Sequence, residues 1–241
     1  MALLEAHGLS VRFGEHQAVN EVDLEVDAGT IVGLIGPNGA GKTTTFNAIS
    51  GVQPCSGRVV LDGVDVSSAS IHRRAWLGMN RTFQRLEVFG SMTAFDNILT
   101  AAEISAQSHR RSMRGCRAAT AAIVERLGLG PVANRRADAL PTGQARLVEL
   151  GRVLATTPKV VLLDEPASGL DEVETRRVAE VLRELADEGM AVLLVEHDMD
   201  LVMELCSTIY VLDFGAVIAC GTPAEVRAEP AVQEAYLGSA V

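Results

Sequence analysis

The stretch GPNGAGKTT at 36–44 constrains the fold of this chain more than any other. It has the form of a phosphate-cradling loop, two fixed glycines followed by a lysine and a threonine. Such a loop belongs at a strand-to-helix turn, and the flanking residues supply both elements. TIVGLI at 30–35 is an almost wholly apolar run, the pattern of a strand buried on both faces of a parallel sheet. KTTTFNAIS at 42–50 reads as the helix that follows.

In this loop Gly36, Gly39 and Gly41 allow tight backbone turns, and with Pro37, Asn38 and Ala40 they form a nest of N–H groups at the helix N-terminus. Lys42 is expected to reach the β- and γ-phosphates of a nucleotide. Thr43 is expected to ligate Mg²⁺ through its hydroxyl, and Thr44 to hold the inner phosphates.

A second set of polar residues follows at the ends of later strands. VVLLDEP at 160–166 is an apolar strand ending in two carboxylates, at the edge where open α/β sheets bind ligands. Asp164 is placed to hold Mg²⁺ through water, and Glu165 to orient or deprotonate a water attacking the γ-phosphate. The strand AVLLV at 191–195 leads to His197, which can hydrogen-bond the γ-phosphate and link nucleotide state to structure.

The rest of the chain fits around these. Short alternating runs before residue 30, and CSGRVVLDGVDV at 55–66 with its Asp62-Gly63 turn, predict an antiparallel element flanking the loop. Beyond about residue 89 the texture becomes helical. Helices at 143–155, 172–187 and 199–205 then alternate with strands at 160–163 and 191–195, which gives a parallel, doubly wound sheet. The helix at 172–187 carries an apolar stripe of Val178, Val181, Leu182 and Leu185. Asp171 and Glu174 form a capping box at its start, and Gly189 stops it.

With 48% apolar residues in 241, the chain can bury a substantial core. Its longest apolar runs are far below the roughly 18 residues needed to span a bilayer, and its first residues do not form a secretory signal, so a cytosolic location is expected. Cys55, Cys116, Cys206 and Cys220 are scattered and form no metal-ligand spacing. A net charge of −10 argues against nucleic acid as a partner. The one basic run, HRRSMRGCR at 109–117, reads as a solvated face.

Taken in order, Phe13, the loop at 36–44, Gln84 in RTFQ, LPTGQ at 140–144, LLDEP at 162–166, SGLD at 168–171 and His197 resemble the ATP-binding subunit of ABC transporters. The resemblance implies an α/β P-loop NTPase with a RecA-like parallel sheet core, about 1–88 and 145–241. It also implies an N-terminal antiparallel β subdomain and an inserted helical subdomain, about 89–144. The implied cofactors are ATP and Mg²⁺. By the same resemblance Phe13 stacks on adenine, Gln84 senses Mg²⁺ and the attacking water, and Asp171 bridges to a second subunit. Thr142, Gly143 and Gln144 belong to the signature segment that closes over the partner's ATP. The implied partners are a second ATPase subunit in a head-to-tail dimer and transmembrane permease subunits, with the chain peripheral on the cytoplasmic face of the plasma membrane.

LGMNRTFQRLEVFGSMTAFDNIL at 77–99 and the ending GTPAEVRAEPAVQEAYLG at 221–238 are similar to subunits of branched-chain amino acid importers. Urea or amide, lipid and polysaccharide transport, and a soluble DNA-repair-type ATPase, are the alternatives. Leu86, Val88, Phe89 and Met92 are expected near a groove for a permease helix, and Phe95 in the core.

The signature departs from the family's Leu-Ser-Gly-Gly-Gln. Pro141 stands where serine would offer a hydroxyl and an N–H, so two unequal ATP sites beside a different ATPase chain are expected. Proline suits the first position of a helix, so the helix itself is expected to form.

Overall fold

The computed structural model describes residues 1–237; Gly238, the last residue of the importer-like ending, lies outside them. The chain opens with β1 (Ala2–Phe13), β2 (His16–Asp27), β3 (Ile31–Ile35), α1 (Lys42–Ser50), β4 (Ser56–Leu61), β5 (Val64–Asp65), α2 (Ile71–Trp76) and β6 (Met79–Arg81). Helices α3 (Ala94–Ser108), α4 (Cys116–Arg126) and α5 (Thr142–Leu154) follow. It continues with β7 (Val160–Asp164), α6 (Glu172–Asp187), β8 (Ala191–Val195), α7 (Met199–Leu205), β9 (Thr208–Asp213), β10 (Ala216–Gly221), α8 (Pro223–Ala228) and α9 (Pro230–Leu237).

Two sheets result. One is antiparallel, ordered β2-β1-β4-β5; the other is ordered β10-β9-β3-β8-β7-β6, with only its β10 edge antiparallel. The Asp62-Gly63 turn joining β4 to β5 has φ of 48° and 73°, the doubly left-handed geometry of a tight hairpin.

Alternation along the parallel strands feeds two cores. Val32 and Leu34 of β3, Val160 and Leu162 of β7, and Leu193 of β8 pack with the antiparallel sheet and with Phe46 and Ile49 of α1. Their neighbours Ile31, Ile35, Val161, Leu163, Val192 and Leu194 pack instead with α3, α5, α6 and α7. All five residues of each of these three strands are buried, as the continuous apolar runs require. Burial of each Val or Leu is worth about 1.5–3 kcal/mol, so the strands carrying the site are the best-anchored part of the molecule.

The helices follow local rules. Asp171 and Glu174 make the reciprocal capping box of α6, whose apolar stripe is buried, and Gly189 follows it with φ of 95°. Pro141 is the N-cap of α5, one position earlier than the sequence suggests, with extended backbone (φ −54°, ψ 151°) and no side-chain cap. The helix tolerates this because an N-cap needs extended rather than helical backbone, and its carbonyl still accepts the Ala145 N–H at 3.0 Å.

Candidate functional site

The phosphate loop connects β3 to α1 and is shaped by close backbone packing. At Gly36 a Cβ would lie 2.0 Å from the Leu212 carbonyl oxygen, and at Gly41 2.6 Å from that of Ala18. Both have positive φ, 151° and 105°, so glycine is required at each by space and by conformation. The loop is thereby fixed against β9 and β2. The Lys42 ammonium donates to the Gly36 and Pro37 carbonyls at 2.7 and 3.0 Å. Burial pushes its pKa below the ordinary lysine range, opposed by the negative charges of Glu165 and Asp164.

The parallel sheet brings the remaining groups to this loop, because the C-terminal ends of β3, β7 and β8 lie side by side. Glu165 follows β7 in the left-handed region, φ 52°, which a non-glycine residue keeps only when its surroundings hold it. Its N–H donates to Val195 at 2.9 Å. Two side chains converge on Glu165 Oε1: His197 Nε2 at 3.0 Å and Gln84 Nε2 at 3.4 Å. The histidine bond requires its Nε2–H tautomer.

A cavity of about 370 Å³ is lined by Phe13, His16, Asn38 through Thr44, Gln84, Glu165 and His197. Residues from five separate stretches of sequence therefore face one space. Phe13 is half exposed at its rim, and His16, across the β1–β2 turn, joins it unannounced by any motif.

Asp164 lies beneath this surface, 1% exposed. Burial raises its carboxyl above the usual range, partly countered by Arg81. Its Oδ2 makes an ion pair with Arg81 at 3.5 Å, but one without hydrogen-bond geometry, leaving that oxygen with no hydrogen-bond donor. A buried carboxylate oxygen with unused capacity fits a cation site of few protein ligands. No cluster of three or more His, Cys, Asp or Glu able to cage a metal exists among the described residues.

Three supporting residues escaped sequence reasoning. Arg81 is buried and binds Asn47 Oδ1 and Ser50 Oγ of α1 at 2.7 and 2.9 Å, tying β6 to the loop's helix. The Thr82 hydroxyl accepts the Asp164 N–H at 3.1 Å. The Glu196 carboxylate, 5% exposed and pushed up by burial, accepts the N–H groups of Ala167 and His197 at 2.7 and 3.0 Å. Arg81 and Thr82 adjoin Gln84 and Glu196 precedes His197, so adjacency to a motif was the only signal in the sequence.

The signature residues lie apart from this cavity. Thr142 is exposed, and Gly143 packs so closely that a Cβ would meet Glu174 Oε2 at 2.5 Å. Gln144 lines a separate cavity with Leu129, Val132 and Leu147, where its Oε1 is buried without a partner. Asp171 is occupied as the α6 cap, accepting the Glu174 N–H at 2.8 Å. One chain thus holds the phosphate-loop group and the signature group on different parts of its surface.

A second surface feature lies at Phe89. Phe89, Trp76, Thr100, Ile104, His109 and Arg152 line a groove of about 250 Å³. Of the residues expected near such a groove, Phe89 lines it; Met92 is exposed outside its lining, Val88 is half buried against the core, and Phe95 packs against the core as expected. Trp76 and Ile104 are groove residues the sequence did not single out. The four arginines of 109–117 are exposed.

Comparison with known proteins agrees with this arrangement. Residues 19–168 match the ABC transporter family, and residues 216–241 match the family described as branched-chain amino acid ATP-binding cassette transporter. The chain is 41% identical to the high-affinity branched-chain amino acid transport ATP-binding protein BraF of Pseudomonas aeruginosa, and 40% identical to LivG of Escherichia coli. Each alignment covers 99% of this chain and 98% of the relative. The lipopolysaccharide export protein LptB of Haemophilus influenzae is 33% identical over the same share. The ADP conformation of the cassette MJ1267 superimposes with a TM-score of 0.87 at 31% identity, covering 99% of both chains. Among the described residues no helix is long and apolar enough to cross a membrane. With a phosphate loop facing Glu165, Gln84 and His197 on a RecA-like sheet, the chain belongs to the ABC transporter family as an ATP-binding, ATP-hydrolysing subunit.

Proposed function

We propose that this chain hydrolyses Mg-ATP to drive uptake of branched-chain or other hydrophobic amino acids through membrane permease subunits. The observation that carries the hydrolytic part is the convergence of Gln84 and His197 on Glu165 Oε1, inside the cavity bounded by the phosphate loop. The amino-acid part rests on BraF and LivG and on the match at 216–241.

In this reading Phe13 stacks on adenine, and Gly36, Pro37, Asn38, Gly39, Ala40 and Gly41 wrap the phosphates with backbone N–H groups. Lys42 leaves the Gly36 and Pro37 carbonyls for the β- and γ-phosphates, with Thr44 on the inner ones. Thr43, Gln84 and Asp164 hold Mg²⁺, which supplies charge neutralisation at the transferred phosphoryl group. Glu165 orients a water and accepts its proton as the water oxygen bonds to the γ-phosphorus. The bond from that phosphorus to the bridging oxygen breaks, and ADP leaves. His197 senses the γ-phosphate and, with Gln84, couples its loss to reopening.

A second, different ATPase chain supplies the facing signature, while Thr142, Gly143, Gln144 and Asp171 here close over that partner's nucleotide. The groove at Phe89 receives a permease helix at the cytoplasmic membrane face, and Glu87, exposed beside it, makes Glu87→Lys the test of that contact. The expected outcome is lost uptake with ATP binding intact; normal uptake removes the placement. For hydrolysis the test is Glu165→Gln, expected to slow turnover by roughly 10² to 10⁴ while ATP stays bound. Near-parental turnover would take Glu165 out of the reaction.

A further inference from the structure

Residues 83–89 run from β6 towards α3 without regular secondary structure. No backbone group of 83–88 pairs with another backbone group among the described residues. Side chains on one face of α5 bond this segment instead. Glu149 Oε1 accepts the Phe83 N–H at 3.4 Å. Arg146 Nη2 donates to the Gln84 carbonyl at 3.4 Å. Arg152 Nη1 donates to the Glu87 carbonyl, and its guanidinium lies 4.5 Å from the Phe89 ring centroid.

Spacings of three residues place Arg146, Glu149 and Arg152 along one side of the helix. Glu149 is 4% exposed, and the positive charges of Arg146 and Arg152 favour its carboxylate against the cost of burial. At the far end Asn97 of α3, fully buried, binds both the N–H and the carbonyl of Phe89, at 2.8 and 3.0 Å.

We infer that the Arg146–Glu149–Arg152 face of α5 is the positioning element for Gln84. It carries residues 83–87 as a strap fixed to the helix that begins at the signature. A shift of α5 then moves Gln84 relative to Glu165, and Arg152 with Phe89 extends the same connection into the groove. The inference rests on the hydrolytic role of Gln84 and Glu165 proposed above. Glu149 acts through Gln84 and touches no reacting atom.

The experiment is a double-mutant cycle on ATP hydrolysis by the chain assembled with its partner ATPase chain in the presence of Mg²⁺, with kcat and KM measured separately. Glu149→Gln keeps an acceptor oxygen but removes the charge that strengthens its bond to the Phe83 N–H and faces Arg146 and Arg152, and is expected to lower kcat up to about tenfold with KM for ATP within about twofold. In a Gln84→Ala background the same substitution is expected to add less than about twofold, since its target is gone. A parental kcat in Glu149→Gln, or a full second tenfold loss on top of Gln84→Ala, overturns the strap. If Glu149→Gln does not melt cooperatively, Arg146→Gln on the more accessible turn takes its place, and the same two outcomes decide. Glu165→Gln run in parallel separates the failures. Retained turnover there sinks the hydrolytic reading, whereas lost turnover with an additive cycle sinks only the strap.

Discussion

The phosphate-loop region and the signature region are the two halves from which an ATP site is assembled, and they are built on different principles. The loop is a contiguous backbone structure whose glycines fit against the Leu212 and Ala18 carbonyls, so its geometry hardly depends on side-chain conformation. The signature half is a helix start with an uncapped Pro141, an exposed Thr142 and a glycine pressed against the Glu174 side chain. A rigid half can hold phosphate alone; an adaptable half is suited to meeting a partner.

The sharpest way to break this contrast is nucleotide binding by the isolated chain. Lys42→Ala is expected to weaken ATP binding on the order of a hundredfold, because charge-assisted bonds to phosphate are lost. Thr142→Ala is expected to leave binding to the isolated chain unchanged. Isothermal titration of both variants decides it, and equal losses would end the distinction.

Next in size are the two glycines. Gly36→Ala forces a Cβ into the Leu212 carbonyl and is expected to cost about 2–3 kcal/mol in denaturant unfolding. The Cβ added by Gly143→Ala meets Glu174 Oε2, which the Asp171 N–H holds, and lies 3.1 Å from the Gly169 carbonyl oxygen; because the nearest clash is a side-chain end and not backbone, the substitution is expected to cost about 1 kcal/mol, less than Gly36→Ala. Similar midpoint shifts would show the halves equally rigid.

Pro141→Ser restores a hydroxyl and an N–H to the signature. It is expected to tighten ATP-dependent association with the partner ATPase by about tenfold, read by analytical ultracentrifugation. No change would mean that Thr142 already supplies the contact.

The smallest effect concerns pH. Burial raises the Asp164 carboxyl in the folded chain above its unfolded value, so the folded state retains that proton to higher pH. Its contribution to stability is present below the unfolded value and is lost as pH rises through the folded one. Without nucleotide, the stability of Asp164→Asn relative to the parent should therefore increase from pH 4 to pH 8. A constant difference in urea unfolding midpoints across that range would contradict the buried, donor-poor environment.

Much of the site was legible because its chemistry sits at strand ends. Continuous apolar runs located β3, β7 and β8, and the polar residue after each run is delivered to the same edge of a parallel sheet. The α6 capping box and the Asp62-Gly63 turn were legible for the same reason: both are set by interactions within a few residues. Arg81, Glu149, Arg146 and Arg152 were not. A charged residue in a helix or short strand looks solvent-facing until the element packed against it is known. The Pro141 position was misread by one residue because helix ends depend on where the first hydrogen bond closes.

By itself the sequence determined the nucleotide loop, the strands β3, β7 and β8 with the helices α1, α5, α6 and α7, and the candidates Asp164, Glu165 and His197 at strand ends, since each follows from local conformation or hydrophobic period. Only the tertiary structure decided that Gln84 and His197 share one oxygen of Glu165, that Asp164 keeps an unsatisfied oxygen beneath the loop, and that α5 holds the strap. Those facts depend on contacts between residues about 30 to 80 positions apart, and such contacts arise only once two cores have closed on opposite faces of one sheet.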